Sequence, residues 1–198
     1  MKEVTIIAGA NGSGKTTFIR SFEKKYPITF INADEIAKEI NPNDIENPKI
    51  KVEAGKIFFK KISDRLNANE NFIIESTLSG RSLLGWIKKI KSNGYSIRLL
   101  YIFTENPDLC IARIKERVLK GGHFVSDNDV IRRFFRSQQN FWNVYKEHAD
   151  EWYLIYNSQE EFIEFAFGKK ENYAINDKTL FREFMKYIEG ENNGGRKI

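Results

Sequence analysis

The run Gly9-Ala10-Asn11-Gly12-Ser13-Gly14-Lys15-Thr16 fits the pattern G-x-x-x-x-G-K-[ST] at every position. Glycines at this spacing let the backbone wrap so closely that successive N–H groups point inward at an anion. A lysine beside the last glycine adds a cation, and the hydroxyl after it suits a hard divalent metal. Together these residue types describe a phosphate cradle. Gly9 to Thr17 would hold the phosphates of a nucleoside triphosphate, Lys15 would reach the β- and γ-phosphates, and Thr16 would ligate Mg²⁺. Such a cradle must follow a strand and open a helix, whose N-terminus adds partial positive charge. Residues 4–10, VTIIAGA, are an apolar run suited to a buried strand, and residues 15–25 read as a helix stopped before Pro27. The bland alternative is a glycine-rich turn carrying a solvated lysine.

A cradle does not name a reaction, and other residues narrow it. Asp34, in FINADEIA, follows the second strand signal, ITFIN. In open α/β sheets ligands sit outside the carboxyl ends of the strands, so Asp34 would face the same crevice as the phosphates. There it could accept the proton of an attacking hydroxyl. Equally, Asn32 or Asp34 could cap a helix beginning near Glu35. Glu75 closes a third strand, NFIIEST, and with Ser76 and Thr77 would border the acceptor pocket; a structural Glu75 before a helix-starting Ser76 or Thr77 is the alternative. Arg113, Arg117, Arg132, Arg133 and Arg136 form a basic cluster. On one helix Arg132, Arg136 and Arg133 fall at roughly 0°, 40° and 100°, opposite an apolar side of Ile131, Phe134, Phe135, Phe141, Trp142 and Tyr145. Guanidinium groups crowded in this way call for an anion, and arginines closing from a lid neutralise a transferring phosphoryl group. KGGHFVSDND, between them, reads as the hinge and tip of that lid. A solvated basic face paired with Glu116, Asp127 and Asp129 is the competing reading. No Asp-x-x-Gly stands where a GTPase switch needs it, and no Asn-Lys-x-Asp is present, which argues against a GTPase.

Strand and helix signals alternate along the chain: further helices are expected over residues 49–69, 83–93, 107–120 and 127–148, and strands at 95–103 and 152–157. In the 49–69 helix Val52, Ile57, Phe58, Ile62 and Leu66 recur near a period of 3.6. Such βαβ alternation predicts a mostly parallel sheet with helices on both faces. The expected division is a core over residues 1–158 with a lid at 117–137, an appendage at 159–190 packed on the core, and a frayed tail at 191–198.

Composition bounds the rest. The chain has 198 residues, 41% hydrophobic and 30% charged, as a soluble globular protein does, and 16 phenylalanines promise a ring-rich core. A net charge of +5 favours anionic ligands without suggesting a nucleic-acid tail. Cys110 is the one cysteine and His123 and His148 the two histidines, so neither a disulfide nor a cysteine–histidine zinc site is expected. The first residues lack the apolar run of a signal peptide and no stretch suits a membrane helix, so a cytoplasmic setting is expected.

With GANGSGKTT, FINADEIA, FIIESTLSG and ERVLKGGHFVSDNDVIRRFFRS in this order, the chain resembles the zeta-toxin-like P-loop kinases. The resemblance implies a nucleotide-kinase-like α/β P-loop NTPase fold using ATP and Mg²⁺. It also implies phosphorylation of a sugar nucleotide, UDP-N-acetylglucosamine, on its 3′-hydroxyl, and an antitoxin protein as partner. By position it implies that Lys15 contacts the phosphates, that Asp34 is the base, and that Asn32, Glu75 and Thr77 lie in the substrate pocket. Arg117 and one of Arg132 or Arg133 become the lid arginines, Arg133 being the choice because it stands on the open side of the basic arc, with Arg136 beside them. Two departures stand out: Asn32 replaces one acid of a D-x-D-like run, and the chain is shorter than the toxins. The alternatives are a polynucleotide end kinase, disfavoured because the aromatics sit on apolar faces, and a nucleotide-binding module that acts through a protein partner.

Overall fold

Residues 2–23, 28–157 and 161–189 are described by the computed structural model; the tail expected to fray and the approach to Pro27 lie outside them. The first part of the chain builds β1 (Glu3–Ala8), α1 (Lys15–Glu23), β2 (Thr29–Asn32), α2 (Ala33–Ile40), α3 (Pro48–Asn67), β3 (Phe72–Ser76) and α4 (Leu83–Ser92). The second builds β4 (Ser96–Phe103), α5 (Pro107–Leu119), α6 (Asp127–Asn140), β5 (Glu151–Asn157), β6 (Phe162–Lys169), β7 (Asn172–Ile175) and α7 (Lys178–Glu189). The helix expected over 127–148 leaves α geometry after Asn140, continuing as a π turn (Phe141–Tyr145) and a 3₁₀ turn (Lys146–His148).

The strands form one seven-stranded sheet in the order β2-β3-β1-β4-β5-β6-β7. β2, β3, β1, β4 and β5 are parallel, as the alternation predicts, while β6 and β7 are antiparallel additions. The segment expected as an appendage therefore continues the sheet itself. β1 lies at the centre because both its faces are apolar: Val4, Ile6 and Ala8 enter the large core, and Ile7 the smaller layer beneath α1. From β1 the chain crosses to β2 at the edge of the sheet, returns to β3 beside β1 and then passes to β4 on the other side of β1, a reversal of direction that opens a crevice at the carboxyl end of β1.

Caps set the helix starts. Asn47 caps α3 and Asn106 caps α5, each followed by a proline whose fixed φ suits the first turn, and the Ser126 hydroxyl caps α6. Ala54, Phe58, Ile62 and Leu66 are the buried stripe of α3, whereas Val52 lies one face away and is 61% exposed. Ile131, expected on the apolar side of α6, is also partly exposed; Val130, Phe134, Ser137 and Gln138 face inward instead. Polar bonds fasten α6 and its extension to the loop after β3. The Ser137 hydroxyl donates to the Thr77 carbonyl, Asn140 Nδ2 to Leu78 O at 2.7 Å, and the Tyr145 hydroxyl to Gly80 O at 2.8 Å. Among the described residues no helix is long and apolar enough to cross a membrane.

Candidate active site

The cradle forms where β1 ends. Space as well as backbone conformation demands its glycines: a Cβ on Gly12 would stand 2.5 Å from the Cys110 carbonyl oxygen, and one on Gly14 2.2 Å from Asn157 Nδ2. Asn157, at the end of β5, donates to the Ser13 carbonyl at 2.8 Å and steadies the loop. At the start of α1, Lys15 is buried; its Nζ donates to Ala10 O at 2.9 Å and lies 3.7 Å from Glu75 Oε1. Thr16 Oγ1 donates to Glu75 Oε2 at 3.1 Å.

Sheet register brings Glu75 here, between Ile7 of β1 and Asn32 of β2. Burial pushes its carboxyl above the usual range, opposed by the Lys15 ammonium and reinforced by Asp34; hydrogen bonds from Thr16 and Asn32 pull it back down. Of the two candidate caps, Asn32 is the one that caps α2. Its side chain accepts from Asp34 N at 2.7 Å and Glu35 N at 3.4 Å. Asp34 is left in the first turn of α2 on the cleft wall, and among the described residues its carboxylate has no hydrogen bond or ion pair.

The cleft measures about 600 Å³. It is lined by the cradle with Thr17 and Arg20, by Asn32, Asp34, Glu35 and Lys38 at the end of β2 and in α2, and by Arg113, Arg117 and residues 120–123 at the end of α5 and in the turn after it. Arg113 Nη1 and Arg117 Nε are buried with no hydrogen-bond partner among the described residues. An orphaned buried guanidinium N–H is costly, and an anion in the cleft would supply its acceptor. Thr16 and Glu75 present oxygen donors that fit Mg²⁺, which takes few protein ligands and completes its shell with water and phosphate oxygens.

Of the expected residues, Asn11, Gly12, Gly14, Lys15, Thr16, Thr17, Asn32, Asp34, Glu75 and Arg117 meet in this cleft. Gly9, Ala10 and Ser13 belong to the loop but do not line it. The Thr77 hydroxyl pairs with Ser79 at 2.9 Å, outside the cleft. The arginines of α6 do not line the cleft. Arg132 pairs with Asp129 at 2.5 Å, Arg133 lies 3.9 Å from the same carboxylate and its Nη1 donates to Asn11 Oδ1 at 3.1 Å, and Arg136 is exposed. Helical phase grouped them correctly, but the docking of α6 presents that face to the side of the phosphate loop and to solvent. Arg113, of the expected basic cluster, and Lys120 and His123, of the segment read as the lid, line the cleft as well, whereas Arg20 and Lys38 line it without having been singled out. Arg113 stands one helical turn before Arg117 on α5.

The family model described as AAA domain matches residues 4–140, and the chain belongs to that family. An uncharacterised protein of Haemophilus influenzae is 38% identical over 127 residues, 64% of this chain and 88% of that protein. Among solved structures, a chain from the PezAT chromosomal toxin–antitoxin system of Streptococcus pneumoniae is similar with TM-score 0.65 and 18% identity, over 96% of this chain and 79% of that one. The AvrRxo1-ORF1:-ORF2 complex solved with ATP contains a chain similar at TM-score 0.72 and 13% identity, over 93% of this chain and 63% of that one. At such identities the likeness shows the fold: a P-loop, nucleotide-kinase-like α/β sheet flanked by helices.

Proposed function

We propose that this protein is an ATP-dependent phosphotransferase that moves the γ-phosphoryl group to a hydroxyl of a small molecule, with UDP-N-acetylglucosamine as the leading acceptor. The observation that carries the reading is Asp34. It is a carboxylate freed from capping by Asn32, facing the same cleft as the Lys15–Glu75 pair. A nucleotide-binding module has no use for an unpaired acid beside the phosphates; a base for an acceptor hydroxyl does.

In this mechanism the cradle amides and Lys15 hold the β- and γ-phosphates. Asp34 takes the acceptor's proton as the acceptor oxygen bonds to the γ-phosphorus, and the bond to the bridging oxygen breaks to release ADP. Arg113 and Arg117 give their unpartnered N–H groups to the charge on the transferring group. Thr16, with Glu75 beside it, would hold Mg²⁺, which would supply charge neutralisation for the phosphates. The lid is the turn between α5 and α6, while Arg133 steadies the cradle through Asn11. ATP as donor is supported by the cradle and by the ATP in the similar AvrRxo1-ORF1:-ORF2 structure. The zeta-toxin resemblance supports the sugar nucleotide, and the likeness to a chain of the PezAT toxin–antitoxin system supports an antitoxin-like protein partner.

Mass spectrometry of the chain incubated with Mg-ATP and UDP-sugars, other hydroxylated metabolites and 5′-hydroxyl oligonucleotides tests this directly. A UDP-N-acetylglucosamine product heavier by one phosphoryl group, absent with Asp34→Asn, is expected. Phosphorylation of the oligonucleotide instead would transfer the mechanism to nucleic-acid ends, and no product in any arm would overturn it.

A further inference from the structure

His123 belongs to none of the roles above, yet it stands on the cleft with Asp34 and Glu35. Its backbone is held rigidly for a loop residue. Gly121 N donates to Val118 O at 3.0 Å and Gly122 N to Arg117 O at 2.9 Å, with Gly121 at φ 81°, which together close α5 in a Schellman cap. Arg117 then reaches back, its Nη2 donating to the His123 carbonyl at 3.0 Å. Two residues on, Val125 is 1% exposed and anchors the chain in the cluster beneath the cradle. The imidazole itself is half-buried, and among the described residues neither ring nitrogen has a hydrogen-bond partner.

The ring's surroundings tell which ligand it suits. Charged groups face it from each neighbouring element: Asp34 of α2, Glu46 of the turn before α3, Lys51 of α3 and Arg117 of α5. Burial holds its basicity below the usual value; Asp34 and Glu46 oppose that shift, while Arg117 and Lys51 add to it. A neutral imidazole offers one donor and one acceptor, which match both the donor and the acceptor of a hydroxyl or amide, whereas a triphosphate offers acceptors alone. Lys15 and Arg20, which line the same cleft, are the cations that suit the triphosphate.

We infer that His123 is an acceptor-binding residue, its imidazole hydrogen-bonding the acceptor next to the hydroxyl that gives its proton to Asp34. The inference rests on the phosphotransferase reading and adds the group that selects a polyhydroxylated acceptor over water. The turn that carries Arg117 to the phosphates would then also carry His123 to the acceptor, so one lid movement assembles both halves of the site.

The test uses the full chain, Mg-ATP, and UDP-N-acetylglucosamine or, failing that, the first panel compound that the wild-type chain phosphorylates. His123→Ala is expected to raise the acceptor KM at least tenfold while the KM for Mg-ATP moves less than twofold, with His123→Asn recovering part of the loss. A general lid defect would move both constants together. In the wild-type chain, the acceptor is expected to shift the His123 ring resonance and leave that of His148 in place. This readout needs no variant to fold. An unchanged acceptor KM in His123→Ala, or an unmoved His123 resonance at saturating acceptor, overturns this inference and leaves the phosphotransferase reading intact. A wild-type chain that phosphorylates nothing overturns both.

Discussion

In the proposed mechanism two side chains of the cleft carry the chemistry, and each is expected to be removable without disturbing the core. Lys15→Ala takes away the cation held between Ala10 O and Glu75. It is expected to abolish phosphoryl transfer while circular dichroism and melting stay close to wild type. Asp34→Asn keeps the shape and the Asn32 cap, because the capping bond is accepted from the Asp34 backbone. Transfer should fall by about 10²–10⁴ in kcat with Mg-ATP binding retained, the range general-base catalysis contributes. Calorimetry with Mg-ATP beside a turnover assay checks this, and retained turnover would sink the assignment of the base.

At the scale of elements, the end of α5 is a device for aiming Arg117. Gly122 packs so tightly on it that a Cβ there would meet Arg117 Cγ at 2.4 Å and Arg117 O at 2.9 Å. Gly122→Ala must therefore push the guanidinium aside. A misplacement of about 1 Å can cost about 10²-fold in rate, and kcat is expected to fall by about that much. Measuring the double variant with Arg117→Ala separates this from general damage. If Gly122 acts by positioning Arg117, adding Gly122→Ala to Arg117→Ala costs almost nothing more. α6, by contrast, is fastened at its C-terminal end to the loop after β3 through Ser137 and Asn140.

At the scale of the whole molecule, the C-terminal segment is part of the core. Phe184 of α7 is fully buried and makes ring contacts with Tyr101, Phe103, Phe141, Trp142 and Phe165, joining α7 to β4, β6 and the π turn. Gln138 Nε2 also donates to its carbonyl at 2.6 Å. Phe184→Ala is expected to cost about 3–5 kcal/mol in urea unfolding, the range for a buried ring. A loss below about 1 kcal/mol would make α7 a detachable appendage.

Local chemistry was legible along the chain. The cradle is set by glycine, lysine and threonine at fixed spacing; the strands β1 to β5 by their apolar runs; the helix starts by asparagine, serine and proline. Each depends on neighbours within a few residues. Asn32 and Asp34 both suited a cap, and their cleft-facing roles separated only once the β2–α2 turn took shape. The arginines show the limit most plainly. Periodicity grouped Arg132, Arg133 and Arg136 on one face of a helix, but it carries no information about which way that helix is docked. Side-chain bonds to Thr77 and Leu78 turn α6 so that Arg133 grips Asn11, while Arg113 and Arg117 reach the cleft from α5. The residue types and their local order belong to the sequence. Which of them share a site was decided by tertiary packing, because that depends on contacts between residues far apart in the chain.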